Sequence, residues 1–320
     1  MATQATTIET RNVRRISSQA GDQIARLVAL FFAIVILAIA VLLVYELFLR
    51  SAPARAKFGW GFLSSTEWNP VSEEFGALPF LYGTVLTSVI AMLLSVPLGV
   101  GAAIFLSELA PAKVSNALTF VIELLAAIPS VIYGLLAIFT LVPLMRQYIE
   151  PFLKHTLGFL PFFSGPAIGV GYLTAGLVLA IMTVPFIISV SRESLLAVPR
   201  EQREAALALG ATRWETTWQI VVPYAKLGIV GSVFLGLARA LGETMAVTMV
   251  IGNVPAVHAS LLAPGYSIAA VIANEFNEAG GSLYPAALVE LGLVLFGLTI
   301  VINAFARIMI AATTSKGSKR

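Results

Sequence analysis

The stretch "LVALFFAIVILAIAVLLVYELFL" (residues 27–49) runs for 23 residues with one charge, Glu46, close to its end. A helix crosses a bilayer core with about 20 apolar residues. A helix that is apolar on every side has no solvent face, so it is buried in a large core or in lipid. Further runs of this kind lie at roughly 80–106, 116–145, 168–191, 227–251 and 284–310. Across all 320 residues 58% are hydrophobic and 12% charged, about half the charge of a soluble domain. The expectation is an all-α membrane protein with six transmembrane helices.

The chain divides on this reading into a tail (1–24), a first span (25–50), an external loop (51–79), a core of five spans (80–312) and a second tail (313–320). A polar loop at 192–223 interrupts the core. "SAPARA" (51–56) offers small residues of the kind found at a signal-peptidase site. The apolar run before it is too long for a signal core of about 7–15 residues, so it reads as a retained anchor. Lys and Arg collect on the cytoplasmic side of membrane proteins. With the N-terminus inside, fourteen of them fall inside and five outside. Both ends are therefore expected in the cytoplasm. Cysteine is absent, which excludes disulfides and thiolate metal sites.

Pro97, Pro129 and Pro185 fall within spans, where each removes a helix hydrogen bond. "AAIPSVIYG" (126–134) reads as a broken helix, with Ser130 and Tyr133 able to satisfy loosened backbone. In "GLARALGETMAV" (236–247) Arg239 and Glu243 stand four residues apart in an apolar run. A charge at that depth costs about 2.5–3.5 kcal/mol on insertion scales, and such charges usually mark a transport path. On a continuous helix Ser232, Gly236, Arg239, Glu243 and Ala246 share a face, and the pair can bond along it. An arginine on a face of small residues suits an anion path. Thr244 adds a hydroxyl. Glu123 and Glu290, also inside spans, read as packing or hydrogen-bonding groups. His155 and His258 sit in external loops without the partners a metal site needs. No G-x-x-x-x-G-K-[ST] occurs, so no phosphate-cradling loop is present. "GVGY" (169–172) lacks the closing glycine of a potassium filter.

The loop "PREQREAALALGATRWETTWQIVVP" (199–223) carries the most specific pattern. Small residues follow Glu204, Gly210 suits the left-handed end of a helix, and Pro223 precedes the next span. Glu204-Ala205-Ala206, then Gly210, Ile220 and Pro223, resemble the EAA loop of ABC-importer permeases, with Val222 where leucine is usual. Together with "ELLAAIPSVIYGL" (123–135) and "RALGETMAVTMVIGN" (239–253), the pattern is similar to the phosphate-specific branch, and within it to the PstC type. The resemblance covers about residues 76–312. It implies a type I ABC-importer permease core, N-in and C-in, without an ATPase site or a cofactor of its own. It also implies a PstA-like second permease, a PstB-like ATPase dimer holding ATP and Mg²⁺, a periplasmic phosphate-binding protein, and phosphate as cargo. Nucleic acid is not an expected partner. Another oxyanion (molybdate, sulfate or phosphonate) is the near alternative, and a self-sufficient channel or secondary transporter the distant one.

Overall fold

The computed structural model describes residues 13–317, with side chains over residues 21–308. Among the described residues six helical stretches are long and apolar enough to cross a membrane: Gly21–Arg50, Leu78–Leu109, Ser130–Leu157, Tyr172–Leu196, Arg213–Leu241 and Leu283–Ile308. The chain divides after Arg50 into two units. The first contains α1 (Val13–Arg50). Its apolar side chains are exposed around the whole circumference, Leu27, Phe31 and Ile36 among them, as befits a helix solvated by lipid.

In the second unit α2 (Ala52–Phe58) and α3 (Gly61–Ser64) lead to a two-residue hairpin, β1 (Trp68–Asn69) against β2 (Glu74–Phe75). There follow α4 (Leu78–Ile104), α5 (Ala112–Ala127), α6 (Ser130–Leu136), α7 (Val142–Leu144) and α8 (Glu150–Leu157). Then come α9 (Tyr172–Leu196), α10 (Arg200–Ala208), α11 (Arg213–Thr216), α12 (Val222–Leu241), α13 (Met245–Thr248), α14 (Ile268–Glu275) and α15 (Leu283–Gly317).

Prolines shape this helix list. Four wide π-type turns occur at Phe105–Leu109, Ala137–Leu141, Met145–Ile149 and Thr217–Val221. Each ends two residues before a proline: Pro111, Pro143, Pro151 and Pro223. Proline has no N–H and its ring crowds the carbonyl four residues back. A turn widened by one residue relieves the clash. Pro97 and Pro185, in contrast, stay inside α4 and α9.

Two of the expected spans are changed by these features. The crossing read as 116–145 breaks at Ile128–Pro129, where the backbone is extended, and its second part continues through wide turns to Leu157. The segment 146–157, expected in a loop, is thus mostly helical. At 1.5 Å per residue α5 is about 24 Å long, short of a full hydrocarbon core. It lies beside Ile188 and Arg192 of α9, whereas α6 and its extension lie beside Val178 and Ile181. The two together make one crossing. Tyr133 spans the break, its hydroxyl donating to the Leu125 carbonyl at 2.7 Å. The span expected at 227–251 ends at Leu241, and residues 242–244 separate α12 from α13.

The centre of the unit is α9, packed by α4 and α12. A Cβ added at Gly176 would lie 2.5 Å from Ile90, and one at Gly99 2.7 Å from Ile187. Small residues let membrane helices approach closely, where dispersion and not the hydrophobic effect drives packing. On the external side Phe62, Phe75, Phe80, Ile268 and Leu288 form a separate buried cluster. Glu275 holds it together, accepting from Trp68 Nε1 at 2.8 Å and Tyr284 Oη at 2.6 Å. The expected 51–79 loop is therefore an ordered cap. Burial pushes the Tyr266 hydroxyl up to about 12, so it stays neutral and accepts from Asn274 Nδ2 at 3.0 Å.

The tightest approach joins this cap to α4. A Cβ at Gly83 would stand 2.1 Å from the Tyr266 carbonyl oxygen, and backbone cannot rotate away as a side-chain tip can. Gly83→Ala is expected to cost about 1–3 kcal/mol, as overpacking does, and to lower the thermal midpoint of the purified protein. An unchanged midpoint would mean that the cap moves freely against α4.

Candidate functional site

The exposed loop singled out by sequence folds as two sharply ended helices. Ala211 N–H bonds the Ala206 carbonyl at 3.1 Å and Gly210 N–H the Leu207 carbonyl at 3.0 Å, with Gly210 at φ +87°. This is the double hydrogen bond that closes a helix on a left-handed glycine. Thr212 then starts α11 through a capping box. Its hydroxyl accepts from Glu215 N–H at 3.2 Å, and Glu215 Oε2 accepts from Thr212 N–H at 2.8 Å. Reciprocal caps of this kind fix a turn without any core. Glu204, Ala205 and Gly210 are exposed, Ala206 and Ile220 half-buried, and Pro223 sits in the first turn of α12. Leu209 is 90% exposed and Trp214 58%. The loop therefore presents apolar surface that its own chain leaves uncovered.

One residue that sequence reasoning missed ties this loop to the bundle. Arg203, on α10, meets Glu108 in a fork: Nε to Oε2 at 3.1 Å and Nη2 to Oε1 at 2.9 Å. Its guanidinium also donates to the Leu195 carbonyl at 2.8 Å and to the Val198 carbonyl. The two side chains are 19% and 9% exposed, so this is no solvated surface pair of small worth. A bidentate, partly buried fork has both strength and fixed direction. Arg203 thereby holds α10 to the end of α4 and to the end of α9 at once.

The second cluster lies deeper, where the two broken crossings meet. Gly134 of α6 faces Ala246 and Met249 of the α13 segment. A Cβ there would lie 3.1 Å from Ala246 Cα and 2.5 Å from Met249 Sδ. Arg239, near the end of α12, stacks over Phe186 of α9 at 5.6 Å from the ring centre, and it acts electrostatically on Tyr133 of α6. An arginine over an aromatic face gains cation–π attraction while its edge stays available for oxyanions.

The expected bond between Arg239 and Glu243 does not form. No ion pair or hydrogen bond joins the two side chains. The helix stops at Leu241 with Gly242 as its cap, so the i,i+4 geometry is lost. Glu243 instead accepts from Ala246 N–H at 3.2 Å, holding the start of α13. Nor is the small-residue face an open wall. Ser232 is buried with its hydroxyl 2.6 Å from that of Ser191, and a Cβ on Gly236 would press on Ile187 at 3.0 Å. That face packs α12 onto α9. Ser130 and Thr244 are half-buried at the two breaks, and the Thr244 hydroxyl makes one long contact to the Gly242 carbonyl at 3.4 Å.

Of the other acids, Glu123 is exposed and Glu290 is buried with Oε2 lacking a hydrogen-bond partner. His155 and His258 are exposed, and among the described residues no three metal-ligating side chains gather.

Residues 95–314, more than half of the chain, match the family model described as "Binding-protein-dependent transport system inner membrane component". The chain is 51% identical over 262 residues to the phosphate transport system permease protein PstC of Xylella fastidiosa strain 9a5c, covering 81% of each. It is 49% identical over 286 residues to the protein of the same name from Haemophilus influenzae, covering 88% of this chain and 90% of that one. Among solved structures it resembles a chain of a bacterial ABC transporter involved in import of the acidic polysaccharide alginate. There the TM-score is 0.58 at 16% identity, over 92% of this chain and 99% of that one. A chain of the inward-facing MetNI methionine ABC transporter gives 0.54 at 17% identity, over 73% and 95%. These two show a shared fold.

Proposed function

This chain belongs to the family of binding-protein-dependent transport system inner membrane components, and we propose that it is the permease subunit of an ATP-driven importer carrying inorganic phosphate across the bacterial inner membrane. It pairs with a PstA-like permease. A PstB-like dimer binds ATP and Mg²⁺ and docks on the cytoplasmic loop, and a periplasmic phosphate-binding protein delivers the anion. The permease holds no cofactor and hydrolyses nothing itself. Phosphate as cargo is supported by the names of relatives at about half identity and by the cationic group at the meeting of the two breaks.

The observation that carries the mechanism is the Arg203 fork. ATP-driven closure of the ATPases moves α10 as a rigid, capped unit. Arg203 conveys that displacement to Glu108 and to the carbonyls ending α9, so the crossings move with the docking helix. The breaks at 128–129 and 242–244 are where two rigid segments can change angle, the usual property of a hinge. There Arg239 attracts the anion with its guanidinium edge, and the hydroxyls of Ser130 and Thr244 stand at the break ends to donate to it. Glu243 sets the backbone of the α13 turn. Conduction needs an anion held weakly enough to leave, and here Arg239 is a single cation with its face engaged on Phe186.

Ala205→Glu adds an acid to the exposed face of α10, and Gly210→Asp forces a side chain into a left-handed position costing about 1–2 kcal/mol. No atom lies within 4 Å of the added Cβ at Gly210, so no core is disturbed. Both variants are expected to insert normally, to lose ATPase from the purified complex, and to lose phosphate uptake at least tenfold. Full uptake by either would overturn docking at this loop. A molybdate or sulfate permease would show the same uncoupling but a different transported anion, and a self-sufficient carrier would be indifferent to both changes.

A further inference from the structure

In an unbroken helix the Leu125 carbonyl would accept from the N–H of residue 129, four positions on. Residue 129 is proline, which has no N–H to give. The Tyr133 hydroxyl takes that place. It donates to the Leu125 carbonyl at 2.7 Å, beside a longer bond at 3.3 Å from Ile128 N–H. Leu125 belongs to α5 and Tyr133 to α6, and the backbone between them is extended at Ile128 and Pro129. One side chain thus ties two helices across the point where they can change angle.

The tie also reaches the second break. Tyr133 is 8% exposed and packs in one buried cluster with Val178, Ala246 and Val247. Its neighbour Gly134 lies against Ala246 and Met249, and Arg239 acts on Tyr133 electrostatically. A turn of α6 relative to α5 therefore bears on α13 and on the surroundings of Arg239. An apolar cavity of about 170 Å³ adjoins the ring, lined also by Ala137 and Ile181, which leaves the ring room to shift. Apolar contacts tolerate such a shift, whereas a hydrogen bond weakens steeply once its angle is lost. The Ile128 bond stays on the Leu125 carbonyl, so departure of the hydroxyl does not strand it.

We propose that Tyr133 is a positioning residue of the transport cycle: its hydroxyl latches the 128–129 break at the angle seen here and lets go when the break turns. That the turn comes with ATP binding rests on the importer reading; the latch itself is a property of this chain. Breaking it sets part of the cost of the turn. Without it the turned state fills before ATP and a loaded binding protein are both in place, and ATP is hydrolysed without cargo.

The chain has no cysteine, so spin labels can be placed on Phe120→Cys of α5 and on Phe139→Cys in the wide turn after α6. Both positions are exposed, at 61% and 77%. The assembled transporter, its partner subunits made free of cysteine, is measured at rest and with ATP trapped by vanadate. Wild type is expected to show one distance at rest and a second when trapped. Tyr133→Phe removes the hydroxyl alone. It should raise the population of the second distance at rest about fivefold, the ratio that corresponds to about 1 kcal/mol. In proteoliposomes its ATPase without binding protein should rise, and phosphate carried per ATP fall, by about the same factor. A static staple would lower the thermal midpoint and leave resting distances, ATPase and coupling ratio as in wild type, and that result would overturn the proposal. So would a wild-type distance that trapped ATP leaves unchanged, which can be read even where Tyr133→Phe does not assemble. If wild type carries no phosphate the importer reading fails, and the distances still decide the latch.

Discussion

Replacing Arg203 with alanine is expected to stop ATP-driven uptake while ATPase activity continues in the assembled complex. The substitution leaves Glu108 buried without its partner and frees the Leu195 and Val198 carbonyls. Removing one member of a buried pair costs about 3–5 kcal/mol, and it does so at the joint between the docking helix and the crossings. Uptake should fall at least a hundredfold, which needs about 2.7 kcal/mol of lost coupling. Arg203→Lys keeps the charge but loses the fork and should fall between the two. Exchanging the pair, with Arg203→Glu and Glu108→Arg together, should recover part of the uptake that each single change loses. The exchange cannot restore the bonds to the two carbonyls, so recovery should be incomplete. If Arg203→Ala transports normally at matched assembly, the fork is only a staple and force reaches the bundle elsewhere. If it abolishes ATPase and uptake together, α10 has lost its docked shape and the fork acts before coupling.

Replacing Arg239 with glutamine should lower uptake by a different route, with assembly and ATPase stimulation intact. Glutamine keeps much of the length and one donor pair but no charge. The lost interaction is a charge-assisted contact to an anion, worth about 1.5–3 kcal/mol, or about ten- to a hundredfold in rate. Because Arg239 forms no ion pair with Glu243, its removal does not strand a buried acid. Glu243→Gln should therefore be mild, since an amide oxygen can still accept from Ala246 N–H. A charge pair acting as one unit would make the two glutamine variants equally damaging. Equal damage would mean that Glu243 and Arg239 act together during transport.

The crossings were legible because a bilayer demands about 20 apolar residues and the chain supplies them six times. The 199–223 loop was legible because its chemistry is local: Glu204, the small residues after it and a left-handed Gly210 lie within seven positions, whereas the capping box of Thr212 and Glu215 came from the structure. Where the chain bends was harder to read. Pro129 announced its break, but Pro143 and Pro151 are absorbed by wide turns, so helix continues to Leu157 where composition suggested a loop. The Arg239–Glu243 pair failed for a reason visible in the sequence, since Gly242 between them is a helix-ending residue. Its small-residue face was expected to line an anion path, whereas Ser232 and Gly236 pack α12 onto α9, for periodicity shows which residues align and not what they face. The Arg203–Glu108 fork joins residues 95 apart. No spacing rule reaches that far, and one arginine in a loop rich in charge carries no mark of its burial.

The measurement that tests this account most directly is anion uptake into proteoliposomes holding the complete transporter, its binding protein and internal ATP. Labelled phosphate, sulfate and molybdate are each offered to wild type and Arg239→Gln at matched ATPase activity. The account predicts uptake of phosphate alone, dependent on ATP, and lowered in Arg239→Gln. Uptake without ATP, preference for another anion, or undiminished phosphate uptake in the variant would contradict it.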